Sequence, residues 1–176
     1  MVINNLCIKH HSTFLHFIPI VTVFLTRTQV NNTIRDAEVY DVNYKKIVFA
    51  DLFTASLQPY LLFDFCGTWC VPCIEEIKKY SKTKHLDKSS KVKPIWVFFE
   101  NDRTKWLDAV EKYKLKKENC FMITGEASRN LIKEFSFLFN WGGEFPHYFL
   151  FSKDGRIIQK TAVSSSNFKE NDISKK

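Results

Sequence analysis

Two cysteines, Cys70 and Cys73, stand with two residues between them in the run FDFCGTWCVPCIEEI, residues 63–77, where an apolar strand pattern passes directly into a helical one. Three kinds of chemistry use that spacing: half of a metal site, part of a disulfide framework, or a working redox pair. A structural zinc site takes four ligands, usually as two Cys or His pairs. No second pair at such spacing occurs here: His85 and His147 stand singly, and His10, His11 and His16 are grouped near the N-terminus. A haem attachment needs His directly after the second cysteine, and Ile74 is there instead. The complete set, Cys7, Cys66, Cys70, Cys73 and Cys120, is odd and sparse for 176 residues and does not read as a disulfide scaffold.

The redox reading fits the setting better. A thiol at a helix N-terminus faces backbone N–H groups without intrahelical partners and the positive end of the macrodipole. Both favour the nucleophilic thiolate, and cysteines so placed have pKa values of about 3.5 to 7.5. Cys70, at the mouth of the helix beside Trp69, is then the exposed attacker. Cys73, nearly a turn further in, resolves the mixed disulfide that Cys70 forms. Pro72 falls in the first turn, where its missing N–H costs nothing.

Neighbouring residues each carry two readings. Asp64 lies in an apolar strand, where charge is costly and the pKa rises, which suits a proton acceptor for Cys73; otherwise it is a strand-end carboxylate reaching solvent. Glu76, three residues beyond Cys73, either approaches the thiols or points to water. Trp69 shields the disulfide and offers apolar contact, whereas Trp96, Trp106 and Trp141 read as packing. Cys66 and Cys120 read as buried free thiols, with a third redox thiol at Cys66 as the alternative.

The elements that must position these residues follow from periodicity. AEVYDVNYKKIVFADLF, residues 37–53, predicts two short strands around a turn near Asn43, closing in an exposed turn at Asp51. PYLLFDF, residues 59–65, is a short apolar run of the kind expected for a buried central strand. From Cys70, apolar residues recur at Cys73, Ile74, Ile77 and Tyr80, with Glu75, Lys78, Lys79 and Lys82 on the other face. KPIWVFFE, residues 93–100, is a second buried strand. A helix over 104–113, a short strand over 120–123 and a helix over 126–137 follow. Two last strands are joined at Lys153, Asp154 and Gly155. Strands alternating with helices before a terminal hairpin indicate an α/β fold: a mixed central sheet flanked by helices, behind an N-terminal hairpin.

Composition sets the outer limits. With 45% hydrophobic residues and seventeen Phe, the chain can bury a sizeable core. The net charge of +7 lies largely between Lys78 and Lys93 and between Lys112 and Lys117, as on solvated helix faces, and no nucleic-acid motif accompanies it. STFLHFIPIVTVFL, residues 12–25, follows Lys9, His10 and His11 as an export signal would, although Pro19 and His16 interrupt it and no small-residue cleavage site follows. A membrane span takes about 20 residues, more than this run provides. The division is therefore an N-terminal segment at 1–35 (signal, anchor or remnant of a preceding domain), one domain at 36–163, and a polar tail at 164–176 expected to be disordered.

LLFDFCGTWCVPCIEEI resembles the active-site segment of thioredoxin-fold proteins, above all the TlpA/ResA-like envelope thiol–disulfide reductases. Trp69, Cys70, Pro72, Cys73 and Glu76 match that pattern position by position. GGEFPHYFLFSKDGRII, residues 142–158, is similar to the family's second landmark, a cis-proline strand running into a Lys-Asp-Gly hairpin. The resemblance spans about residues 37–162. It implies a thioredoxin-like fold and a thiol–disulfide oxidoreductase whose redox centre is the Cys70–Cys73 disulfide, with no other cofactor and no metal. It also implies a cis Phe145–Pro146 bond that frees the Phe145 backbone to pair with an extended substrate peptide, so that Trp69, Pro72, Phe145 and Pro146 form the substrate surface. Partners would be protein thiols or disulfides and an upstream electron donor, not nucleic acid, with membrane anchoring open to the N-terminal segment. The location would be the bacterial cell envelope or periplasm if residues 12–25 export the chain, and the cytoplasm otherwise. Departures are Cys66 for the usual Trp, Gly67 for Ala, Lys78 for a Pro, and Asp64 where envelope members more often carry Asn. Two rivals remain: a non-enzymatic binding module with a permanently closed disulfide, and a thiol peroxidase, which needs Thr where Gly67 stands.

Overall fold

In the computed structural model, residues 32–174 are described, apart from Ser90. The export-signal reading of residues 12–25, the three N-terminal histidines and Cys7 lie outside the described residues.

The organising element is β3, Tyr60–Cys66, a strand without polar alternation because both its faces are covered. It pairs in parallel with β4, Val92–Phe99, and antiparallel with β6, His147–Ser152. β5, Cys120–Ile123, lies parallel to β4 on the far side. The hairpin of β1, Glu38–Tyr40, and β2, Lys46–Val48, continues one edge, and β7, Ile157–Gln159, closes the other. The sheet order is β2-β1-β5-β4-β3-β6-β7, mixed as expected.

Two cores result. On one face, Phe63, Phe65, Ile95, Val97, Phe149 and Phe151 pack against α1, Asn32–Arg35, α2, Asp51–Thr54, and α5, Gly125–Phe139. On the other, Leu62, Cys66, Trp96, Phe98 and Leu150 pack against α3, Val71–Thr83, and α4, Arg103–Lys112. Alternation along β3 puts Asp64 on this second face, with Leu62 and Cys66, under the helix that carries the cysteines.

Three expectations change. The exposed turn at Asp51 is the helical turn α2, because Leu52 and Phe53 are drawn into the core. α5 runs on to Phe139, whose burial extends the helix beyond Phe137. The described part of the C-terminal tail, residues 164–174, is ordered over the second face and includes a 3-10 turn at Glu170–Ser174. Its anchor is Phe168, which is fully buried; removing an aromatic side chain of that size from water contributes about 1.5–3 kcal/mol. His85 Nε2 bonds to the Phe168 carbonyl at 2.8 Å, and Ser89 Oγ donates to Glu170 Oε1 at 2.9 Å, fixing the tail to the turn after α3.

Candidate active site

Cys70 is the N-cap of α3 in an extended conformation, and its Sγ accepts a hydrogen bond from the Cys73 backbone N–H at 3.2 Å. The two cysteines are joined as a disulfide. The sulfur at the cap thus sits where the helix presents partnerless donors and its positive dipole end, a setting that favours a thiolate once the bond is reduced. Cys70 is 5% exposed and Cys73 1% exposed. Both cysteines of the closed disulfide are buried, so Cys70 is not the exposed attacker expected from its position at the helix mouth.

The loop from β3 to α3 is held by the end of β4. Thr68 Oγ1 donates to Glu100 Oε2, while Glu100 Oε1 accepts from the backbone of Asn101 at 2.9 Å and Asp102 at 3.2 Å. Trp69 Nε1 donates to the Phe99 carbonyl at 2.9 Å, and its ring meets Phe145 edge-on at 5.4 Å. The indole folds back over Gly67, where an added Cβ would lie 2.6 Å from two ring atoms. Gly67 is therefore what lets Trp69 adopt this pose. Trp69 and Val71 remain 60% and 73% exposed, leaving apolar surface on either side of Cys70. Pro72 occupies the first turn of α3, as its ring requires. The Phe145–Pro146 bond is cis, and Phe145 packs on Phe99 and Trp141 as well as Trp69.

Asp64 is buried, so it does not reach solvent from a strand end. It is registered between Trp96 of β4 and Tyr148 of β6, and its Oδ2 has no hydrogen-bond partner. Burial pushes its pKa well above the usual carboxylate range and the Glu76 charge adds to that, while the nearby Ser165 hydroxyl, short of hydrogen-bond geometry, opposes it. Glu76 turns to the C-terminal segment: its Oε2 accepts from Ser166 Oγ at 2.5 Å and its Oε1 pairs with Lys79 Nζ at 2.6 Å. Burial pulls its pKa upward, but Lys79, Ser166 and Ser164 outweigh that and hold it below the ordinary value.

The two other cysteines among the described residues are inert by position. Cys66 is fully buried, its Sγ 3.8 Å from the Val97 carbonyl, and burial pushes its pKa well up. Burial does the same to Cys120. Trp96, Trp106 and Trp141 pack in the cores. His147 donates from Nε2 to the Lys160 carbonyl at 2.7 Å and its ring packs at a tilt against Phe149, on the face opposite Asp64. Among the described residues, no three His, Cys, Asp or Glu side chains converge as a metal site, and no helix is long and apolar enough to cross a membrane.

Sequence reasoning missed Thr68, Glu100, Tyr148 and the serines of the tail. Glu100, a carboxylate closing an apolar strand, was the one legible signal among them. Tyr148 lies beside Asp64, and its hydroxyl is buried without a partner.

Residues 29–175 match the family model described as Redoxin. No curated protein matches the chain. Among solved structures, a thiol:disulfide interchange protein from Bacteroides sp. is similar at 19% identity and a TM-score of 0.58, covering 74% of this chain and 79% of that one. The thioredoxin domain of a thiol-disulfide oxidoreductase from Bacteroides vulgatus is 18% identical with a TM-score of 0.53, covering 77% and 86%. A secreted Mycobacterium tuberculosis disulfide oxidoreductase homologous to E. coli DsbE is 16% identical with a TM-score of 0.54, covering 81% and 98%. At these identities the likeness establishes a shared thioredoxin-like fold.

Proposed function

The chain belongs to the Redoxin family, and from that premise we propose that it is a thiol–disulfide oxidoreductase that reduces protein disulfides. The observation that carries this reading is the Cys70–Cys73 disulfide at the N-cap of α3, flanked by exposed apolar surface. In the reduced protein, the Cys70 thiolate attacks one sulfur of a substrate disulfide; a Cys70–substrate S–S bond forms, and the first substrate sulfur leaves as thiolate. Cys73 S–H then gives its proton to the Asp64 carboxylate, and the Cys73 thiolate attacks Cys70 Sγ. The mixed disulfide breaks, the second substrate sulfur leaves, and two electrons have passed from the dithiol to the substrate. The proton stays on Asp64, in keeping with its raised pKa beside the closed disulfide. Trp69, Val71, Phe145 and Pro146 would line the path of an extended polypeptide, with the Phe145 backbone pairing to it.

A second dithiol must reopen the Cys70–Cys73 bond for each turnover. In an oxidising envelope, to which residues 12–25 would deliver the chain if they act as an export signal, that donor is a dedicated upstream protein; in the cytoplasm the general thiol pool would serve. The test is trapping. The Cys73→Ser variant should accumulate a covalent adduct with a disulfide-bearing polypeptide, resolved by mass spectrometry and released by dithiothreitol. Cys70→Ser should form none. An adduct at Cys70→Ser, or none with either variant, overturns the mechanism.

A further inference from the structure

The segment after β7 carries three consecutive serines, Ser164 to Ser166, and it lies against both carboxyls of the site. Ser166 Oγ donates to Glu76 Oε2, and Ser164 Oγ sits 3.2 Å from Ser166 Oγ. Asn167 Nδ2 donates to Ser164 Oγ at 2.9 Å, while the backbone N–H groups of Asn167 and Phe168 both bond to the Ser164 carbonyl at 2.9 Å. The turn is thus internally fixed. Ser165 is 1% exposed beside Asp64, and three polar atoms here, Asp64 Oδ2, Tyr148 Oη and Ser165 Oγ, are buried without hydrogen-bond partners. A carboxyl oxygen without a partner beside two unpaired hydroxyls is costly unless the group is a neutral acid or its chamber is functional.

We propose that this serine turn is the positioning element of the acid pair: Ser166, supported by Ser164, fastens Glu76 as the anion, while Ser165 and the buried Phe168 keep water from Asp64. The inference rests on the disulfide-exchange reading for its use, because a dry Asp64 receives the Cys73 proton and a fastened Glu76 anion holds it there. Two carboxyls driven apart in this way give one acid and one base from the same residue chemistry. The groups that face Asp64 are Glu76 from α3, Tyr148 from β6, Cys66 from its own strand and Ser165 from the tail; β4 presents Trp96, which does not titrate. Glu76 is faced by Asp64, Lys79, Ser164, Ser166 and Tyr148.

The experiment is a carboxyl-carbon NMR titration of the full chain with its disulfide closed, for wild type, Ser166→Ala, Ser166→Thr and Phe168→Ala. Losing a hydrogen bond to a charged group should raise the Glu76 proton affinity about tenfold, moving its midpoint up by about one pH unit in Ser166→Ala. Ser166→Thr keeps the hydroxyl and should restore the wild-type midpoint, which a merely structural role would not require. Phe168→Ala admits water and should lower the Asp64 midpoint. Ser166 is only partly buried, so the Glu76 result does not depend on Phe168→Ala folding. An unmoved Glu76 midpoint in Ser166→Ala, or an Asp64 that titrates with exposed carboxylates in wild type, overturns the proposal. The titration needs no turnover, so a protein inactive in exchange would still show the split, and an active one without it would lose this inference alone.

Discussion

Replacing Asp64 by Asn in the disulfide-closed protein should remove a slope from its stability–pH curve. Asp64 is 2% exposed and its pKa is raised well above the carboxylate range, chiefly by burial. In the unfolded chain the same carboxyl titrates at about 3.9. Between those values the folded protein holds a proton that the unfolded chain has released, so stability falls as pH rises through the window, by up to about 1.4 kcal/mol per unit. Below both values Asp64 contributes no slope, and above the native pKa the loss is complete. Glu75, Glu76, Asp102, Asp154 and Glu170 are shifted the opposite way. Their contributions grow as pH rises through the low range and are complete by about pH 5. The buried thiols Cys66 and Cys120 enter only above about pH 8.5, where their unfolded forms ionise. Between those limits, the wild-type-minus-variant difference isolates Asp64. The Asn amide does not titrate, so any packing or hydrogen-bond offset is constant across the range. Urea denaturation at successive pH values reads the difference directly. The Asn variant should gain on wild type from pH 5 upward; two parallel curves would refute a buried, proton-holding Asp64.

Gly67→Ala places a Cβ against the Trp69 indole and should break its bond to the Phe99 carbonyl, costing about 1 kcal/mol and shifting the tryptophan emission of the oxidised protein; an unchanged spectrum would contradict the close approach. Phe168→Ala should destabilise by about 3–5 kcal/mol in chemical denaturation, since the side chain is fully buried; a loss under 1 kcal/mol would mean the tail is not docked. After gentle reduction, brief iodoacetamide treatment with mass mapping should label Cys70 well before Cys66 or Cys120, which burial keeps protonated and covered. Equal labelling of Cys66 would restore it as a third redox thiol.

The hinge was legible because several local signals coincide there. An unbroken apolar run marks β3, Pro72 marks the first turn, and the Cys73, Ile77 and Tyr80 spacing marks the buried face of α3. What lay hidden depends on pairings far apart in the chain. Nothing near Thr68 announces Glu100, because β3 and β4 bring them together only in parallel register. Adjacent His147 and Tyr148 look equally eligible as partners for Asp64; register decides, setting Tyr148 opposite Asp64 and sending His147 to the other core. The tail misled for a compositional reason. Eleven of its thirteen residues are polar, but the buried Phe168 supplies the main anchor with Ile173 packed beside the core, and Ser166 finds a partner on α3 that no local pattern encodes.

The central claim is that Cys70 and Cys73 form a working dithiol–disulfide couple poised for reduction of substrates. Its most direct test is the equilibrium reduction potential of the pair in dithiothreitol or glutathione buffers, followed by tryptophan fluorescence. The account predicts one two-electron transition near thioredoxin's value of about −270 mV. A transition near about −120 mV would make the protein an oxidant. No transition at all, with Cys70 unreactive, would leave a closed structural disulfide and contradict the claim.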